Sequence, residues 1–271
     1  MRRSGRRVAL VVLALLLAVL FAYPGSGLLL GWWSTEDGGI HRFHHVVWGL
    51  HTGVMLSAGL FALLLRTEDR VATAQQVGVA MAVMMAVLFG AVAIPHLGEP
   101  QIGTDRIVFT IVILALAGVV LALHPRRREL LRRGQGLSKP MAAIGVVGLV
   151  IAVPYAIDHI QIQVAADLAT DPHSAGARTH WDEMASATLT LALVALVAAL
   201  RTRGWRLVAW TAGIGAMVFG TASIVLPDQA SSPGAVWGTL VLIGGALFIA
   251  VTEVEARRPA SYGTTTIRPT A

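Results

Sequence analysis

A chain of 271 residues that is 55% hydrophobic and 13% charged has too few charges to cover a water-facing surface, since soluble domains carry about 25%. Its formal charge of +6 does not point to nucleic acid, because the basic residues sit in short segments between apolar runs, the arrangement expected beside an anionic membrane leaflet. The absence of cysteine excludes disulfides, thiolate metal sites, iron–sulfur clusters and cysteine nucleophiles.

Residues Met1 to Arg7 carry four arginines, and Val8 to Ala22 carry no charge. This has the basic and apolar regions of a signal peptide. A small-residue cleavage site is missing, and apolar residues resume at Leu28–Trp33 after Pro24-Gly25-Ser26-Gly27. The pattern predicts an uncleaved first span over 8–30, kinked or ended near Pro24. Further apolar windows follow at 44–65, 75–96, 106–124, 140–160, 183–200, 206–226 and 235–252. Each is about 20 residues, enough to cross ~30 Å of hydrocarbon. The fold class is therefore all-α, a polytopic integral membrane bundle of about eight transmembrane helices occupying 1–256 as one unit. The tail 257–271, rich in Pro, Ser, Gly and Thr, is expected to be disordered.

Orientation follows from Arg and Lys. With the N-terminus inside, segments 1–7, 66–74, 125–139, 201–206 and 253–271 are internal and hold 18 of the 21 basic residues. Arg42, Arg106 and Arg178 are the ones facing out. The positive-inside bias thus predicts a plasma (cytoplasmic) membrane protein with both termini cytoplasmic. In that orientation eight of the nine histidines lie outside, His124 being the exception, and so do ten of the fifteen carboxylates.

The densest group is His41-Arg42-Phe43-His44-His45, with Trp48 and His51 following. At helical spacing His41, His44, Trp48, His51 and Met55 form one stripe. His51 lies ~10 Å deeper than His44, where an ionisable group is costly and faces the bundle interior with a partner. It reads equally as a ligand or as a neutral histidine bonded to a carbonyl or threonine. Gly49, Gly53 and Ser57 repeat every four residues and predict close packing on a neighbouring helix.

Asp158-His159 ends the fifth span. Adjacent helical residues point about 100° apart, so each is expected to meet a group on another helix, or Asp158 simply reaches water. Thr179 and Asp182 fit a helix cap, and acids suit a helix N-terminus. That accounts for Asp182 and Glu183 without chemistry and leaves His180 as a ligand candidate. His96, before Gly98-Glu99-Pro100, joins the candidate ligands, whereas His173 reads as a loop residue. Met81, Met84 and Met85 read as packing.

The candidate metal ligands are His41, His44, His45, His51, His96, His159, His180 and Asp158. Imidazole and carboxylate without thiolate suit zinc, copper or iron. His44, His45, His51, His96 and His159 are alternatively axial candidates for haem. Asp158 or Glu99 would support the site or carry protons. His41-x-x-His44-His45 resembles one histidine box of the membrane desaturases and hydroxylases. That family carries three boxes on the cytoplasmic side, against one outer box here. Eight spans with outward histidines are also similar in outline to haem A synthase, whose histidines lie on alternate, even-numbered spans. Here the fourth and eighth spans have none at their outer ends, and no residue is carried across from either family.

The leading reading is a membrane oxidoreductase or metalloenzyme with a site at its outer end. The alternative is a transporter, assembly factor or complex subunit, partnered by other membrane subunits as well as lipid, whose histidines line a vestibule or sense pH. The inner halves of the spans, mostly Val, Ala, Leu and Gly, argue for a one-sided site over a charged-substrate pathway.

Overall fold

The computed structural model describes residues 3–35, 39–65, 69–94, 104–131, 134, 136–166 and 180–257. These are helical, with no strand among them. Helix α1 runs Arg3–Gly25 through Pro24. After Ser26 the chain resumes as the helical turns Gly27–Leu30 and Gly31–Trp33. The interruption follows Pro24, which brings no N–H to the ladder, and Ser26 Oγ closes it by donating to the Tyr23 carbonyl at 2.7 Å.

Helix α2 comprises Arg42–Gly49, a π-helical stretch Leu50–Ala58 and Gly59–Leu65. Helix α3 is Val71–Val87, continued by the π-helical Leu88–Ala93. Then come α4 (Thr104–Leu123), α5 (Lys139–Ala165), α6 (His180–Ala199), α7 (Trp205–Val225) and α8 (Gly234–Arg257). Seven of the eight are long and apolar enough to cross a membrane, while the described apolar part of α4, Ile111–Leu123, is shorter. The chain is an all-α polytopic membrane bundle. Several helices overrun their sequence windows: α5 continues to Ala165 and α8 to Arg257. The tail beyond 257 lies outside the described residues.

The helices that bear His44, His51 and His180 are central. In α2 and α6, 67% of the apolar window is buried, against 22% in α5 and 17% in α8. Two seams set their positions. The first joins α1 and its extension to the small-residue face of α2. A Cβ on Gly49 would lie 2.0 Å from the Leu28 nitrogen, and one on Gly25 would lie 2.6 Å from the Gly53 Cα. One turn deeper, Ser57 Oγ donates to the Ala18 carbonyl at 2.8 Å. Only residues without bulk permit backbones this close.

The second seam joins α2 to α6. Glu183 meets His44 and Thr190 meets His51, each pair 139 residues apart in sequence. Two helices paired at a constant offset run parallel and in register, so the stripe read from α2 faces α6.

The opposite end of the bundle holds the basic segments. Arg203 lies 4.0 Å from Asp69 and 3.6 Å from Glu129, and Arg201 lies 3.6 Å from Glu255. Thr202 Oγ1 donates to Gln75 Oε1 at 2.6 Å, and Gln75 Nε2 donates to the Leu130 carbonyl at 2.7 Å. The α6–α7 turn closes through Gly204 at φ +79°, where a Cβ would sit 2.7 Å from the Asp69 carbonyl oxygen. Arg6 of α1 reaches the Ala122 carbonyl near the end of α4. Between the two ends a core of Met55, Leu56, Leu60, Met81, Met84, Met85 and Val194 fills the bundle. The α3 methionines are packing residues there.

Candidate metal centre

The histidine-rich end is assembled from the first turns of two parallel helices. His41 is the N-cap of α2, at φ −102° and ψ 9°. His44 and His45 follow in its first turn. His180 opens α6, with Asp182 and Glu183 in the same turn, where carboxylates offset the positive end of the helix dipole. Because α2 and α6 are parallel, both first turns lie at one level and their side chains meet.

His44 and His180 stack face to face, with ring centroids 3.9 Å apart and planes 25° apart. His44 Nε2 lies 2.5 Å from Glu183 Oε2. One ring nitrogen from each histidine and one Glu183 oxygen all lie within 4.8 Å of one another. Two more imidazoles border this triad. The His41 ring meets His180 edge-on at 4.6 Å, and the His45 ring lies 5.3 Å from His44. His41, His44 and His180 are largely withdrawn from solvent. In that setting the His44–Glu183 pair forms a charge-assisted hydrogen bond when a proton is shared between them.

Glu183 is the residue that the sequence pattern assigned to the helix dipole alone. The signal for a second role was its place three residues after His180, which puts both on one helical face. What gives it that role is α2 lying alongside, a tertiary fact outside the local pattern.

The remaining candidates lie elsewhere. His51 is buried a few turns below the triad. Its Nε2 is 3.4 Å from Thr190 Oγ1, and the edge of Trp48 lies against its ring at 5.2 Å. His159 sits on α5 with its ring stacked on Tyr155 at 3.9 Å, and its Nδ1 donates to the Tyr155 carbonyl at 2.9 Å. That bond fixes the proton on Nδ1, because a carbonyl only accepts. His159 approaches the triad through Trp181, whose ring meets it at 5.4 Å and which follows His180 in the chain. Asp158 points away with its side chain 69% exposed, 3.9 Å from His159 Nδ1. His96 and Glu99 lie outside the described residues, as do His173 and Thr179.

Polar residues are also buried below the site. Gln76 of α3 donates to the Met55 carbonyl at 2.9 Å within the π-helical stretch of α2. Its amide sits in the inner half of a span, so that half is less featureless than its composition suggests.

A scan against protein-family models, a search of curated proteins and a search of solved structures each return no match for this chain. The chemistry of the site therefore rests on its own geometry.

Proposed function

We propose that this is a membrane metalloprotein in which His44, His180 and Glu183 hold one divalent transition-metal ion at the outer end of the bundle. The observation that carries the reading is the convergence of two imidazole nitrogens and a carboxylate oxygen within 4.8 Å, contributed by two different helices. Two histidines and a carboxylate are the donor set of open zinc sites and of non-haem iron(II) sites. With three protein ligands, at least one coordination position stays available to water or substrate, which suits Lewis-acid or water-activating chemistry. His41 and His45 border the triad closely enough to orient it or to carry protons. The stacked His44–His180 pair favours an ion over haem. Bis-imidazole haem ligation puts one ring on each face of the porphyrin, whereas these rings touch each other. The clustering of basic residues at the other end supports an orientation with the metal group on the extracytoplasmic side of the plasma membrane.

A second reading has its own observation. The 2.5 Å contact between His44 and Glu183 suits a pair that shares a proton and responds to pH without metal. One experiment separates the two. Protein purified in detergent with chelator is titrated with Zn²⁺ and with Co²⁺, whose visible absorption reports coordination. The metal reading expects one ion per chain, with binding abolished or strongly weakened in His44→Ala, His180→Ala and Glu183→Gln and retained in His159→Ala. No stoichiometric binding of either ion, or binding indifferent to Glu183→Gln and His180→Ala alike, overturns it in favour of the proton-sharing pair.

A further inference from the structure

Buried polar side chains of α2, α3 and α6 form a file that starts at the His44–His180–Glu183 triad and runs inwards. On α6, Glu183, Ser186 and Thr190 follow at steps of three and four residues, which keeps them on one helical face. Ser186 and Thr190 are buried. Thr190 Oγ1 lies 3.4 Å from His51 Nε2 on α2, and the His51 ring lies beside the Ala80 carbonyl of α3. One turn further in, Gln76 of α3 donates to the carbonyl of Met55, four residues after His51. Thr73, three residues before Gln76 on α3, is buried as well. It stands at the basic end, since the neighbouring Ala72 N–H donates to the Arg203 carbonyl at 2.9 Å.

The hydroxyls on this file differ from most other buried ones. Those of Thr52, Thr188, Ser223 and Thr252 turn back to the carbonyl four residues earlier on their own helix, the bond by which a helix satisfies a buried hydroxyl by itself. Thr190 instead presents its hydroxyl to His51 on another helix. Thr73 Oγ1 is buried with no hydrogen-bond partner among the described residues. Along the helix axes, the steps from Glu183 to Ser186 and from Gln76 to Thr73 are about 4.5 Å, and those from Ser186 to Thr190 and from His51 to Met55 about 6 Å. One water joined to two groups by hydrogen bonds of about 2.8 Å spans about 5.6 Å. Each step is therefore about the reach of a single water. An imidazole held within the membrane is costly, and proton relays are among the functions that retain one.

We infer that this file conducts protons between the basic end of the bundle and the imidazole cluster at the other end, with His51 as its central carrier. At His51 a proton is taken up on Nε2, on the Thr190 side, as the one held on Nδ1 is released. One proton thus enters the ring, one leaves, and no electron moves. Rotation about the Cβ–Cγ bond restores the first tautomer. The hydroxyls of Ser186, Thr190 and Thr73 both donate and accept, and the Gln76 amide oxygen accepts, so each can hold a bridging water in line. The inference stands on the file alone and not on the metal reading.

The test uses metal-free full-length protein with chelator present, so that the two readings fail separately. The protein is reconstituted in phosphatidylcholine vesicles loaded with the pH dye pyranine. A potassium gradient with valinomycin makes the lumen negative and draws protons in. Wild-type vesicles should acidify several-fold faster than protein-free ones. Thr190→Val and His51→Phe should each lower the rate to that of protein-free vesicles. Thr188→Val should match wild type, because that hydroxyl is bonded within its own helix. Valine keeps the shape of threonine and removes only the hydroxyl, so the Thr188 and Thr190 variants make a matched pair two residues apart. Monodisperse elution and an unchanged far-UV spectrum confirm that each variant is folded, and Thr190→Val carries the test should His51→Phe fail to fold. Wild-type vesicles that acidify no faster than protein-free ones overturn the inference. So do Thr188→Val and Thr190→Val vesicles that conduct alike, whether at the wild-type rate or at the protein-free rate.

Discussion

Replacing Gly49 with alanine adds one methyl group at the tightest point of the α1–α2 seam. The new Cβ would stand 2.0 Å from the Leu28 nitrogen and 2.6 Å from the Gly27 carbonyl carbon. Both are backbone atoms, so no rotamer change relieves the clash. Restoring the 3.4 Å of ordinary contact to Leu28 requires the two segments to part by roughly 1.4 Å. Overpacking of this kind costs about 1–3 kcal/mol. The separation also loosens Gly31 from His45, whose Cβ is 2.8 Å from where a Gly31 Cβ would sit. Gly118→Ala is the control, because an added Cβ there meets nothing within 4 Å and alanine gains about 1 kcal/mol of helix propensity over glycine. Thermal unfolding in one detergent, followed by far-UV circular dichroism, should place the Gly49→Ala midpoint below wild type and Gly118→Ala at or above it. At about 2–4 °C per kcal/mol for a chain of this size, the two variants separate by several degrees. Equal midpoints would refute the argument that backbone contact, and not helix propensity, governs this seam.

The remaining predictions concern the histidine end. Metal affinity of wild-type protein should fall as pH drops through the range where imidazoles protonate, because each ligand must surrender a proton to bind. Calorimetric titrations in buffers of different ionisation enthalpy should show proton release, and a pH-independent affinity would contradict ligation by His44 and His180. His51→Ala should leave metal stoichiometry unchanged, since His51 partners Thr190 and not the triad. It should lower thermal stability by about 1–3 kcal/mol by leaving a cavity and an unpaired hydroxyl, whereas loss of bound metal would place His51 in the site. Tyr155→Phe removes the bond to the Ser231 carbonyl and should cost about 1 kcal/mol. Faster amide exchange at Ser231 and Ser232 would report the freed loop, and exchange identical to wild type would show that the bond does not hold it.

Much of this arrangement was legible in the sequence, for a physical reason. In a bilayer, length, hydropathy and basic loops act locally, so they mark helices and ends without knowledge of neighbours. The Gly49–Gly53–Ser57 face likewise announces close packing, because bulk is a property of the residue itself. Which helix meets which is not local. Glu183 looked like a dipole-compensating acid until α2 was found parallel to α6, and Asp158 read either as a partner or as a residue reaching water until the rotation of α5 turned it outwards. His51 kept its place on the stripe, yet Thr190 gives it a neighbour that no spacing rule on α2 could supply. The π-helical stretches of α2 and α3 were invisible too, since i to i+5 bonding carries no compositional mark.

The bundle is also mechanically uneven. At the basic end, ion pairs and side-chain hydrogen bonds tie the α2–α3, α4–α5 and α6–α7 turns and the end of α8 together. Such an end acts as a clamp, and a helix held at one end moves most at the other. A tilt of about 5° in α8 about Glu255 displaces its tip at Gly234 by roughly 2.7 Å over a lever of about 31 Å. That displacement falls next to Ser231, whose carbonyl accepts the hydroxyl of Tyr155, the ring on which His159 is stacked. The stiffness of one end thus sets the precision with which the other can be opened.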